Sequence, residues 1–315
     1  MSGAAPPQLA LRQTVDEGLT AVEAAMRTVT ASQVDVLRDA SRHILGAGGK
    51  RMRPRLLLLS YLAMGGDDMS HAAKPAAAVE LMHTASVVHD DINDHGVLRR
   101  GKPAVNAIWG RTFALLTGDF LFTAVYELMA PYGDLNIDLA QAATALVEGE
   151  TLQASAVKNN HFNREVYGRI IALKTAALFR AAGAIGAKLA GAAQPETSAL
   201  ADFSFNLGLA FQIVDDILDL VADEAKLGKT SGIDIGQGRG FAVALSEGSS
   251  NGNAPPSDSL DSIKRRMLEG DTIDKARDRA NLLVRSAIAS LDILPHSPAK
   301  EALVELAQQV IARES

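Results

Sequence analysis

His83-Thr84-Ala85-Ser86-Val87-Val88-His89-Asp90-Asp91-Ile92-Asn93-Asp94 is a run of apolar and small residues that ends in an Asp-Asp-x-x-Asp cluster. The same spacing returns in Phe211-Gln212-Ile213-Val214-Asp215-Asp216-Ile217-Leu218-Asp219. On a helix the first and last carboxylates of each cluster fall at i and i+4 and share a face, with Cβ atoms about 5–6 Å apart. Like charges so placed repel by roughly 0.2–0.5 kcal/mol. One such cluster reads as a solvated helix end. Two, both embedded in apolar helices, ask for a shared cation. Oxygen-only donor sets suit hard divalent ions, and magnesium is usually held by one or two carboxylates completed by phosphate oxygens and water.

Around these clusters the apolar residues recur at spacings of three and four along almost the whole chain, and no alternating strand of useful length stands out. The pattern predicts helices over 8–29, 31–46, 52–64, 71–94, 105–109, 111–130, 134–157, 163–191, 195–222, 258–269, 271–290 and 298–313. Gly46-Ala47-Gly48-Gly49, Gly65-Gly66-Asp67-Asp68 and Pro131-Tyr132-Gly133-Asp134 punctuate it. Short breaks favour antiparallel neighbours in a single all-α bundle spanning 1–315. The composition agrees, with 47% hydrophobic residues but only 4% aromatic, a balance that suits packed helices better than sheets. Ser246 to Ser259, rich in Ser, Gly, Asn and Pro, reads as a solvated connector.

At 315 residues the chain can build a sizeable core. A net charge of −6 argues against nucleic acid as a partner and gives no pull towards anionic membranes. The absence of cysteine excludes disulfides, thiolate metal sites and a cysteine nucleophile. Met1 to Gln8 does not read as a signal peptide, and no uninterrupted apolar run is long enough for a transmembrane segment, the densest being Leu56 to Met64. A cytoplasmic protein is expected.

Basic residues sit at defined distances from the acidic clusters. Gly48-Gly49-Lys50-Arg51-Met52-Arg53-Pro54 places three cations on a turn before a helix, where backbone N–H groups and the helix dipole also favour an anion. Arg99-Arg100-Gly101-Lys102-Pro103 follows the first cluster, and arginine forks suit bidentate phosphate contacts. Lys174-Thr175 lies within an apolar helix, where the lysine either snorkels to the surface or points into a cavity. Lys226 to Gly240 holds five glycines with Lys226, Lys229 and Arg239, a cationic segment able to close over an anion.

Together with Gly118-Asp119-Phe120-Leu121 and Glu148-Gly149-Glu150, these strings resemble, in order and spacing from about residue 45 to 240, the trans-isoprenyl diphosphate synthases. The resemblance implies an isoprenoid synthase fold with a deep central cavity, usually as a homodimer. It also implies condensation of isopentenyl diphosphate with the carbocation of an allylic diphosphate. By position, Asp90, Asp94 and Asp215 become the leading ligands of three Mg²⁺ ions, with Asp91, Asp216 and Asp219 binding or supporting through water. Arg99, Lys174, Lys229 and Arg239 would hold the allylic diphosphate, and Lys50, Arg53, His83 and Arg100 isopentenyl diphosphate. Thr175 and Gln212 would face the developing cation. His83 without the motif reads as a satisfied core histidine, and His89 as structural.

Product length is expected to be set on the helix that ends in the first cluster. Ala85 and Ser86 lie five and four positions before Asp90, where fifteen-carbon relatives often carry an aromatic, so small residues predict a longer product. Met82 and Leu81 would form a partial floor. Phe120, Phe122 and Tyr126 on the next helix could block deeper. The context resembles medium- and long-chain polyprenyl diphosphate synthases, with geranylgeranyl diphosphate synthase the closest alternative. Asp234-Ile235-Gly236-Gln237-Gly238-Arg239-Gly240-Phe241 departs from the family, with arginine for lysine and no Thr or Pro following. A class I terpene cyclase would not need Lys50, Arg53 and Arg100. A non-catalytic partner subunit typically loses acidic residues that are all present here.

Overall fold

The computed structural model describes residues 7–99, 101–159, 161–221 and 271–312. Among the described residues the fold is all-α apart from one short hairpin. Its elements are α1 (Pro7–Val29), α2 (Asp35–Leu45), α3 (Met52–Ala63), α4 (Met69–Asn93), β1 (Leu98–Arg99), β2 (Lys102–Pro103), α5 (Val105–Met129), α6 (Leu135–Lys158), α7 (Arg164–Ile171), α8 (Ala177–Leu189), α9 (Gln194–Val221), α10 (Thr272–Ser290) and α11 (Pro298–Ile311). A π-helical stretch, Ala172–Ala176, joins α7 to α8. The antiparallel ladder pairs Leu98 with Pro103 and Arg99 with Lys102. It was not expected, because two residues per strand are too few to show alternation. The predicted helix over 258–269 and the connector 246–259 lie outside the described residues.

Two compact units emerge. The first comprises residues 1–140, 181–201 and 293–303, the second 141–180, 202–292 and 304–315. In the first, α4 packs against α1, α3 and α5. Its sequence explains this, because Ala72, Ala73, Ala76, Ala77, Ala78, Val79, Leu81 and Met82 are all buried, and alanines let neighbouring helices approach on several sides. Asp68 caps α4 by accepting from the Ser70 and His71 amides. Pro75, inside the helix, removes the N–H that would bond the His71 carbonyl. The Tyr132 hydroxyl donates to that carbonyl at 2.8 Å instead. Gly110 breaks helical geometry inside α5 with φ 81°, where the sequence separates 105–109 from 111–130.

In the second unit Phe179, Phe203, Leu207, Ile213, Val214 and Ile217 are buried, and the Phe179 and Phe211 rings lie 5.4 Å apart. The π-helical stretch is approached closely from both sides. A Cβ on Gly149 of α6 would stand 2.7 Å from Lys174 Cγ, and one on Gly208 of α9 would stand 2.8 Å from Ala176 Cα. Only glycine fits at either point.

Two segments, Val105–Tyr132 and Arg164–Leu189, are long and apolar enough to cross a membrane by length and composition. This corrects the reading from uninterrupted runs, which misses helices whose apolar residues are interleaved with small and polar ones. In the most apolar window of the second, 72% of residues are buried inside the protein, as in a core helix; in the first the share is 44%.

Candidate active site

The C-terminal turn of α4 carries Asp90 and Asp91, and Asp94 caps it, its amide donating to the Asp90 carbonyl at 2.8 Å. No basic residue lies in that last turn. Carboxylates at a helix C-terminus oppose the macrodipole, each by about 0.3–1 kcal/mol. Asp91 is nevertheless buried, and its charge is met by Arg99, whose Nη2 and Nε donate to Oδ1 at 2.8 and 3.1 Å. The return from α4 to the hairpin is fixed by Asn106, whose Nδ2 donates to the carbonyls of Asp91 and Gly96. His95 adopts φ 53° in that return. Arg99 is thus a positioned cation, held beside the first cluster by the cluster's own middle aspartate.

The cationic turn before α3 belongs to the same unit. Lys50 is exposed and Arg53 buried, while Arg51, between them, takes the left-handed conformation with φ 46°. Its guanidinium donates to Glu23 of α1 at 2.6 Å, to Glu80 of α4 at 2.8 Å and to the Leu45 carbonyl at 3.1 Å. Burial acts to lower the Arg51 pKa, but Glu80 and Glu23 outweigh it and hold the group above its ordinary value. The turn is further tied to the hairpin, since Lys102 Nζ donates to the Gly46 carbonyl and His43 Nε2 bonds that of Pro103.

In the second unit, Lys174 is ion-paired with Glu150 at 2.6 Å and donates to Gln153 at 3.1 Å. Thr175 Oγ1 donates to Gln212 Oε1 at 2.7 Å. Gln212 Nε2 in turn donates to Asp216 Oδ1 at 2.8 Å, and the Tyr167 hydroxyl donates to Asp216 Oδ2 at 2.6 Å. Asp215 is exposed and Asp219 half-buried on α9. Among the described residues, no three His, Asp or Glu side chains gather into a group that could by itself hold a metal. The clusters do fit magnesium, which takes few protein ligands and completes its shell with phosphate and water.

The family profile described as polyprenyl synthetase matches residues 34–264, well over half of the chain. The chain belongs to the polyprenyl synthetase family. It is 33% identical over 318 residues to the octaprenyl diphosphate synthase of Escherichia coli (strain K12), covering 95% of this chain and 96% of that one. It is 38% identical over 299 residues to a short chain isoprenyl diphosphate synthase of Methanothermobacter thermautotrophicus, covering 89% and 91%. Among solved structures, a polyprenyl synthase from Caulobacter crescentus CB15, complexed with calcium and isoprenyl diphosphate, matches with a TM-score of 0.89 at 33% identity. That match covers 100% of this chain and 99% of that one. Membership makes the chain a prenyltransferase with the all-α isoprenoid synthase fold.

Of the residues expected to act in this polyprenyl synthetase, the first unit brings Asp91 onto Arg99 and sets Lys50 and Arg53 on one turn. The second brings Thr175, Gln212 and Asp216 into one chain of hydrogen bonds. His83, half-buried, shares α4 with the fully or nearly buried Leu81, Met82, Ala85 and Ser86. His89 Nε2 lies 3.2 Å from the Leu115 carbonyl of α5, in keeping with a structural role. Arg100, Lys229, Arg239 and the departing segment 234–241 lie outside the described residues. Sequence reasoning missed Tyr167 and Glu80, and read Lys102 only as part of a cationic string, not as a tie to the Gly46 carbonyl. Glu80 carried a signal, as an acid within an otherwise apolar, alanine-rich helix; Tyr167 carried none, being 49 residues from its partner.

Proposed function

We propose that this polyprenyl synthetase is an all-trans polyprenyl diphosphate synthase that condenses isopentenyl diphosphate head-to-tail with an allylic diphosphate, giving a product longer than farnesyl diphosphate. The observation that carries the reading is Arg99 fixed on buried Asp91 at the acidic C-terminal turn of α4, a cation and carboxylates prepared side by side for a diphosphate. In the reaction the allylic carbon–oxygen bond breaks and its electron pair leaves with diphosphate. The double bond of isopentenyl diphosphate then attacks the carbocation, and a proton passes to the released diphosphate. No side-chain nucleophile is required. Asp90, Asp94 and Asp215 would hold three Mg²⁺ ions, with Asp91, Asp216 and Asp219 in support. When bound, Mg²⁺ neutralises charge gathering on the departing diphosphate. Arg99, Lys174, Lys229 and Arg239 bind the allylic diphosphate, and Lys50, Arg53, His83 and Arg100 bind isopentenyl diphosphate. Thr175 and Gln212 present oxygen to the developing cation.

Small, buried Ala85 and Ser86 support passage of a long chain, with Leu81 and Met82 deeper on α4. A homodimer is supported by α5, where Ile108, Phe113, Leu115 and Leu116 are nearly half exposed and Tyr126 is 74% exposed. A second copy covering this face gives a dimer by sedimentation; a monomer at micromolar concentration refutes it. The activity is tested by incubating the protein with Mg²⁺, isopentenyl diphosphate and farnesyl diphosphate and sizing the product. Elongation beyond twenty carbons is expected; no elongation from any allylic primer refutes the reading, and arrest at twenty carbons makes the enzyme a geranylgeranyl diphosphate synthase.

A further inference from the structure

We propose that Tyr167 is a positioning residue of this reaction, acting through Asp216 and Gln212 to fix the direction in which the Thr175 hydroxyl points. The inference rests on the synthase reading and adds a residue to it. Tyr167 is 6% exposed on α7, so its ring is anchored in the core and its hydroxyl has a defined place. That hydroxyl donates to one oxygen of Asp216, and the Gln212 amide, one helical turn earlier on α9, donates to the other.

The chemistry of the three groups then leaves one arrangement. An ionised carboxylate accepts hydrogen bonds and donates none, so the Gln212 group facing Asp216 is the amide NH₂. Its carbonyl oxygen is thereby turned to Thr175, whose hydroxyl must donate. With its proton committed to Gln212, Thr175 presents oxygen lone pairs in its other directions. Lone pairs favour a neighbouring positive centre, whereas a hydroxyl proton pointing the other way would disfavour it. The order Tyr167 to Asp216 to Gln212 to Thr175 therefore sets the sign of the dipole at Thr175.

The backbone holds Thr175 at the end of this relay. Within Ala172–Ala176 the Ala177 amide bonds the Ala172 carbonyl, five residues back, which inserts an extra residue into the turn. Gly149 and Gly208 allow α6 and α9 to close on that turn, leaving it little room to shift. Thr175 is itself 7% exposed, so its hydroxyl has few alternative partners in water.

Tyr167→Phe tests the relay while keeping the ring. Its kcat is expected to fall about tenfold or more, the scale of a lost hydrogen bond to a charged group, with KM for both diphosphates and the melting temperature nearly unchanged. In a Thr175→Val background the same change should cost nothing further, because its route of action is already cut. Losses that multiply in the double variant, or a kcat equal to wild type in Tyr167→Phe, overturn the proposal. A readout without turnover separates this from failure of the synthase reading. The Gln212 side-chain amide protons, observed by NMR, should shift and exchange faster with water in Tyr167→Phe. Unchanged Gln212 signals overturn the relay whatever the wild type synthesises. If Tyr167→Phe fails to fold, Asp216→Asn reads the same amide: its own NH₂ competes with a donor, so the Gln212 signals should move, and unmoved signals again refute the relay.

Discussion

Arg51→Ala is the substitution for which the first unit makes the sharpest energetic prediction. The guanidinium joins three segments, bonding Glu23 of α1, Glu80 of α4 and the Leu45 carbonyl. The Glu80 side chain is 5% exposed and that of Glu23 29% exposed. Removing the cation leaves a carboxylate buried without it, and breaking a buried pair in this way costs about 3–5 kcal/mol. The more exposed Glu23 pair adds about 0–1 kcal/mol. The left-handed backbone at φ 46° offers no relief, since alanine carries the same Cβ as arginine. A loss of about 3–5 kcal/mol is therefore expected, a large part of the roughly 5–15 kcal/mol by which domains are stable. Urea denaturation followed by helical circular dichroism measures it, with the midpoint falling at unchanged slope. Arg51→Met with Glu80→Leu removes both charges and should recover most of the loss, because an apolar replacement of a buried pair is often neutral. A cost below about 1 kcal/mol for Arg51→Ala, or no recovery in the double variant, refutes the account of Arg51 as a buried ionic tie, given the scale of such pairs.

Three further outcomes are expected. Asp90→Ala should lower kcat at least about a hundredfold, the scale of losing one transition-state electrostatic contact, and retained turnover in a steady-state assay would exclude that role. Ala85→Phe fills a fully buried position on α4, so chromatography of the products should find shorter chains; unchanged length would place the growing chain elsewhere. The Ser70 hydroxyl, followed by the His71 amide, holds the Asp68 carboxyl below its ordinary pKa, so the stabilisation is complete above the unfolded value of about 4 and is lost as pH falls through the lower folded value. The stability gap between wild type and Asp68→Asn should thus close on acidification through that range; a gap constant from pH 7 to the acid limit in pH-dependent melting would show that Asp68 caps α4 without using its charge.

The helices were legible because burial of one or more faces forces apolar residues into spacings of three and four, and the breaks at Gly46, Gly65 and Gly110 mark where that spacing lapses. The acidic clusters and the cationic turn were legible for a different reason: several like charges close together cost free energy, so they advertise a ligand. What could not be read is whatever depends on distant segments. Nothing in Ala172-Leu173-Lys174-Thr175-Ala176 distinguishes it from ordinary helix, and its π geometry coincides with the close approach of Gly149 and Gly208. Arg51 looked like one phosphate-binding cation among three, and only the fold reveals two carboxylates from other helices already holding it. Charge in the sequence therefore marks the cationic turn, but it does not tell which of its cations are committed to carboxylates of the protein.

The same distinction runs through the two acidic clusters. In each, the middle aspartate is turned to the protein: Asp91 binds Arg99, and Asp216 accepts from Tyr167 and Gln212. Each middle residue thereby orients a group assigned to the substrate, Arg99 for a diphosphate and Thr175, through Gln212, for a cation. The first aspartate of each cluster, one step earlier, is rotated from the middle one by about 100° about the helix axis. On the proposed roles, the duplication in the sequence is a repeated division of labour. On the proposed reading the second aspartate of each cluster has a task separate from adding metal charge: Asp91 fixes the Arg99 guanidinium, and Asp216 fixes the Gln212 amide that faces Thr175.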